Sequence, residues 1–195
     1  MRRRMVKCYL LLYWIKRSLP LVWVVLALSG CTTLSVPDML PEVPKETLVS
    51  TREALRIDQV SGDEVKTSVM SRSVAPSGTI TPEVFADTLY QALERSGIFA
   101  RILKSGAADL SLNAHLVSQE ISVGYPMTST LFVRYRLTDE HSGKTKWERS
   151  IISIGKSPAS EGFRDRQKLA NERAVQENLR QLLIELSSVM AATKE

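Results

Sequence analysis

Ten apolar residues at positions 19–28 (LPLVWVVLAL), set behind the basic residues Arg2, Arg3, Arg4, Lys7, Lys16 and Arg17, decide how much of this chain is available to fold. A basic flank, a short hydrophobic core and small residues, here Ser29 and Gly30, are what a secretory signal presents to a signal peptidase. The core is too short to cross a bilayer of about 30 Å, which takes about twenty residues. Joining positions 9–15 to 19–28 would lengthen it, but Lys16 and Arg17 would then lie in mid-membrane at about 2.5–3.5 kcal/mol each. The expectation is a removable signal over residues 1–30 and a folded domain drawn from the remainder.

Charge follows the same division. The chain carries 26 Lys+Arg and 21 Asp+Glu, a formal charge of +5. Six of the basic residues and none of the acidic ones lie in residues 1–30, which leaves 20 against 21. A basic excess that would otherwise point to nucleic acid is confined to the leader, so no nucleic-acid partner is expected. Cys8 lies inside the leader and Cys31 directly follows it, so no internal disulfide is expected in the domain. About 165 residues can bury a single core without such a staple.

The tetrad Leu28-Ser29-Gly30-Cys31, placed directly after the signal core, resembles the bacterial lipobox. That resemblance implies cleavage between Gly30 and Cys31, lipid on Cys31, and a domain held to a membrane. Thr32 stands where an aspartate often retains such proteins at the inner membrane, so the implied destination is the outer membrane, facing the periplasm. Residues 31–51 contain Pro37, Pro41 and Pro44 without sustained periodicity. Prolines at that density favour an extended, flexible tether, with packing on the domain surface the alternative for its second half. A single domain is expected over residues 52–195.

Within the domain the pattern predicts β-α-β-β-β-β-α. Leu55 and Ile57 alternate with Arg56 and Asp58, which predicts a strand near 53–60. Residues 61–79 are polar, with a short strand possible at 67–70. Thr81 and Pro82 suit a helix N-cap and first turn. Phe85, Leu89, Ala92 and Leu93 make one apolar stripe, and Gly97 with Ile98 suits the C-terminal stop. Strands are predicted at 98–103, at 109–122 from the alternation of Leu110, Leu112, Ala114 and Leu116, around Leu131, Val133, Tyr135 and Leu137, and at 146–154. A long helix closes the chain, with Leu169, Val175, Leu179, Leu182, Leu183, Leu186 and Val189 on its stripe and Arg166 and Glu172 among the charges outside it. The fold class expected is α+β: a mainly antiparallel sheet of four to five strands with two helices on one face.

The lipobox, the helix ending Arg95-Ser96-Gly97-Ile98-Phe99, the strand at 108–116, the hairpin at 133–147 with Arg134-Tyr135-Arg136-Leu137 and Gly143-Lys144, and the closing helix together form a known combination. They resemble the small Gram-negative lipoproteins whose domain is similar to the N-terminal domain of TolB, among them the YajG-like, PelC-like and LpoB-like proteins. The resemblance covers about residues 52–190 and rests on element order and short phrases. It implies a non-enzymatic subunit, adaptor or regulator of an envelope assembly, with an envelope protein partner or self-association.

Motifs for chemistry are wanting. Gly155-Lys156-Ser157 and Gly143-Lys144-Thr145 end like phosphate loops, but Ser150 and Thr138 stand where the leading glycine belongs, so both glycine–lysine pairs read as turn or strand-end residues. His115 and His141 are far apart and have no cysteine partner, so neither a metal nor a cofactor is expected. No nucleophile motif occurs, and no enzyme activity is expected. One surface invites binding: if the helices cover the face of Leu110, Leu112, Val133 and Tyr135, then Asn113, His115, Phe132, Arg134 and Arg136 share the other. Exposed arginine and aromatic residues are interface anchors, while an ordinary solvated sheet face is the plain alternative. Tyr125-Pro126, between two long strands, is a second contact point or simply a rigid turn. A flat face would favour a protein partner. An enclosed pocket would favour a non-protein envelope ligand such as peptidoglycan, lipid or exported polysaccharide.

Overall fold

The computed structural model describes residues 34–44, 48–62 and 79–193. The leader, Cys31 and the strand considered at 67–70 lie outside the described residues. Local signals act where they were read. Thr81, in extended conformation, accepts the Val84 N–H on its side-chain oxygen at 3.3 Å and opens α1 (Pro82–Ser96). Gly97 closes that helix at φ 67°, a left-handed conformation that glycine adopts without steric cost. Phe85, Leu89 and Leu93 on its stripe are fully buried, as are Ile80 before it and Ile98 after it.

Five strands follow the expected order: β1 (Ala54–Gly62), β2 (Arg101–Leu103), β3 (Leu110–Ser122), β4 (Thr128–Asp139) and β5 (Thr145–Lys156), with α2 (Phe163–Ala192) last. They form one sheet in the order β2-β1-β3-β4-β5. The α+β class and both helices on one face are as expected, but the sheet is mixed. β1 pairs in parallel with β2 and with β3, while β3–β4 and β4–β5 are antiparallel. The helix between β1 and β2 is the cause, since a helical crossover returns the chain to the end of the sheet where β1 began. β2 is only three residues long, so residues 104–109 suffice to pass the start of β1 and enter β3 on its far side. Asp109 secures the crossing: its N–H donates to the Ala54 carbonyl at 3.1 Å, and its carboxylate accepts the Ala54 N–H at 2.7 Å.

The core lies between the sheet and the two helices. Leu55, Leu110, Leu112, Leu116, Val133, Tyr135 and Leu137 face Phe85, Leu89, Leu93, Val175, Leu179, Leu182 and Leu186 in one cluster. α2 lies directly on β5: a Cβ on Gly155 would fall 2.0 Å from the Ala170 carbonyl oxygen. Two buried polar groups key the same contact. Asn178 accepts the Tyr135 hydroxyl at 2.6 Å and donates to the Ile151 carbonyl at 3.2 Å, and Gln119 donates to Asn171 at 2.8 Å. Two charges placed outside the stripe of this helix are in fact buried, Arg166 at 7 % exposure and Glu172 at 4 %, while Leu169 is only half-buried.

Part of the stretch expected as a tether is packed against α2. Pro37–Met39 form a 3₁₀ turn that buries Met39 completely and leads into Leu40, at 7 % exposure. Gln176 donates to the Asp38 carbonyl at 2.6 Å, and farther on the Val49 N–H donates to Ser187 at 2.7 Å. Among the described residues no helix is long and apolar enough to cross a membrane.

Candidate functional site

The sheet's outer face is set by pleat and register. Leu112, Ala114, Val133, Tyr135 and Leu137 point into the core, so their neighbours along each strand point away from it. Cross-strand pairing then builds rows on the outer face: Asn113 opposite Arg136 and Arg136 opposite Glu148, then His115 opposite Arg134 and Arg134 opposite Ser150. All five residues expected there lie on this face, Asn113, His115, Arg134 and Arg136 in two adjacent rows. Phe132 belongs to the next row, where the register shift between Leu116 and Ser118 sets it opposite Ser118 on one side and Ile152 on the other.

The sequence pattern does not assign Glu148, Ser61 or the apolar pair Ile152 and Ile154 to this surface. Each follows from pairing between strands, which a single strand's pattern does not encode. Glu148 accepts from both Arg136 Nε at 3.0 Å and Arg136 Nη2 at 3.3 Å, so that arginine is held upright in the sheet. Arg134 is exposed and has no carboxylate partner among the described residues. Ser61 Oγ is 3.0 Å from His115 Nδ1, which ties β1 to the same row. Ile152 and Ile154 are 59 % and 55 % exposed, beside the half-buried Phe132.

The face therefore runs from charge to hydrocarbon along the strands. Its charged end is bordered by Arg56, which pairs with Asp58 and lies 3.0 Å from Glu140. Hydrogen bonds from Ser111 first and Arg56 second hold the Glu140 carboxyl below its ordinary range, and those to Asp58 and Glu140 raise the Arg56 guanidinium further above its own. Between the charged rows lies a shallow, open concavity of about 350 Å³, lined by Ser61, Asn113, His115, Arg134, Arg136 and Glu148. It is a dish in a flat surface and not an enclosed pocket. Among the described residues no group of three or more His, Cys, Asp or Glu could hold a metal ion.

No protein-family model matches the chain, and no curated protein matches it. Solved structures do share its fold. A Xanthomonas campestris protein of the family DUF330 is 13 % identical and superposes over 83 % of this chain and 97 % of its own, with a TM-score of 0.67. A neuraminyllactose-binding hemagglutinin homolog from Helicobacter pylori is 10 % identical over 79 % of this chain and 96 % of its own, with a TM-score of 0.50. The PelC L103M dodecamer from Paraburkholderia phytofirmans matches at 12 % identity over 72 % of this chain and 90 % of its own, at a TM-score of 0.45. At these identities the likeness is one of fold.

Proposed function

We propose that this protein is a non-enzymatic interaction module, held by lipid on Cys31 to the periplasmic side of the outer membrane, that docks an envelope protein on its uncovered sheet face. The observation that carries the docking role is the outer face itself, where the exposed Arg134 and the upright Arg136 stand beside the exposed Ile152 and Ile154. A solvated sheet face alternates core residues with polar ones and keeps branched aliphatics out of water. Cationic rows merging into an apolar strip instead match the arginine and apolar anchors of protein interfaces. The surface it fits carries carboxylates over the arginines and apolar side chains over the isoleucines. The openness of the dish favours a protein over peptidoglycan, lipid or polysaccharide, which a deeper groove would enclose. Support for the membrane address comes from the signal core, the tetrad ending at Cys31 and Thr32.

A photo-crosslinking residue at Phe132, in cells, tests the docking role, with the same residue at the exposed Ile184 on α2 as reference. The expected result is one discrete adduct from position 132 and none from 184. That adduct should be lost when Arg134→Glu and Arg136→Glu are combined, while the domain keeps its melting temperature. Its mass separates a second copy of this chain from a different protein. An adduct unchanged in the double variant would remove the arginines from the interface.

A further inference from the structure

The described chain starts against the first part of α2. The Ser35 N–H is bonded to the Glu172 carboxylate, and Asp38 lies 3.8 Å from Lys168. From there the segment follows α2 toward its C-terminus, past Gln176 at Asp38 to Ser187 at Val49. The chain therefore enters the domain from the end at which α2 begins. Ser35 is four residues along the chain from Cys31, a reach of at most about 14 Å even when fully extended.

That end of the domain has an unusual surface. It consists of the β3–β4 loop and the first turns of α2, joined where Arg166 donates to the Gly124 carbonyl at 3.3 Å. The Arg166 guanidinium lies over the Tyr125 ring at 4.4 Å from its centroid and 5.9 Å from that of Phe163. Around this pair, Tyr125 is 78 % exposed, Val123 58 % and Phe163 38 %. Glu172 is only six residues from Arg166 along the helix, about 9 Å of its axis. An acylated Cys31 and this aromatic end are therefore within reach of one another.

We propose that this end, with Val123 and Tyr125 foremost, rests in the headgroup zone of the bilayer that holds the Cys31 lipid. The proposal builds on lipid at Cys31 and adds an orientation to it. Tyrosine is suited to that zone because its ring is apolar and its hydroxyl wet, and arginine because its stem can lie in hydrocarbon while its head stays in water. With so short a connection the contact is effectively intramolecular, so even a weak affinity keeps it populated. The strands then stand away from the membrane. Trp147, paired with Leu137, lies at the far end of β4, nine residues from Thr128 and roughly 30 Å away.

The test uses the full-length protein purified from membranes, with its intact mass recorded. Trp147 is the only tryptophan outside residues 1–30, so it serves as the far-end reporter. In a Trp147→Phe background, Tyr125→Trp and, separately, Val123→Trp place a reporter at the near end, both at exposed positions. Each protein is reconstituted in vesicles of phosphatidylethanolamine and phosphatidylglycerol with bromine on the upper acyl chain. The expected result is an acylated mass, quenched and blue-shifted emission from positions 125 and 123, and unchanged emission from Trp147. Acylated protein with neither near-end reporter quenched overturns the proposal and leaves the lipid reading intact. Quenching of all three reporters also overturns it, because the domain then has no preferred end. A mass without acyl groups removes the lipid anchor and this orientation together, and the mass alone identifies that outcome.

Discussion

Gly155 has no side chain because α2 needs the space. Its Cβ would lie 2.0 Å from the Ala170 carbonyl oxygen and 2.3 Å from the Ala174 nitrogen, both of them backbone atoms that cannot yield without moving the helix. Gly155→Ala is therefore expected to destabilise the domain by at least about 3 kcal/mol, the upper end of overpacking costs. Gly143, in the β4–β5 turn at φ 66° with open space around it, is the comparison. Gly143→Ala should cost only about 1–2 kcal/mol, the penalty of a left-handed backbone. Urea denaturation of both variants checks this, and equal losses would mean that α2 shifts readily on β5. Both glycines were legible beforehand only as turn or strand-end residues, since a close approach between helix and sheet leaves no mark in either pattern. Arg134 and Arg136 were legible, because alternation along one strand decides which way they point. Asn178 and Gln119 were not: a polar residue facing the core makes sense only once its partners, Tyr135 and Asn171, are in place.

The two helices differ in how well their sequences announce them. α1 carries its start, stripe and stop within seventeen residues, so local chemistry specifies it almost completely. α2 is longer, and its buried surface is wider than its apolar stripe because a third layer, residues 34–44, covers part of the side turned away from the sheet. That cover explains the burial of Glu172. Desolvation raises its carboxyl above the ordinary range, and the Lys168 ammonium at 3.6 Å and the Ser35 N–H offset this only in part. A carboxyl with a raised value in the folded state binds its proton more tightly there than in the unfolded chain. The associated stability is present in full below the ordinary carboxylate value and is lost as pH rises through the folded-state value. Glu172→Gln keeps the neutral shape, so it should match the wild type near pH about 4 and exceed it in melting temperature at neutral pH. A variant less stable than wild type at neutral pH would mean that the Lys168 and Ser35 contacts outweigh the desolvation.

Taken as a molecule, the domain is a three-layer stack: sheet, helices, and an N-terminal strap lying along α2. The parallel pairing of β1 with both neighbours and the docking of that strap are long-range choices. Neither is encoded in the local periodicity that revealed the strands, and the prolines at 37, 41 and 44 favour a spacer, with packing on the domain the alternative only for the second half of the segment. Prolines suit both because a strap, like a spacer, needs extended chain that makes few hydrogen bonds of its own. Burial separates the two roles, since a spacer has no side chain to lose to a core. Met39 is fully buried in the cluster with Leu40, and Leu34, Val36 and Val43 pack on its margin. Met39→Ala should therefore behave as a core truncation, lowering stability by about 2–5 kcal/mol, whereas Glu42→Ala on the same segment should leave it unchanged. The measurement is urea denaturation of the chain from Thr32 onward, made without lipid so that membrane attachment does not contribute. A loss of that size would show that the segment is part of the folding unit. No loss at Met39 would return residues 34–44 to the role of a spacer, and the close approach of the Tyr125 end to the bilayer would lose its geometric basis.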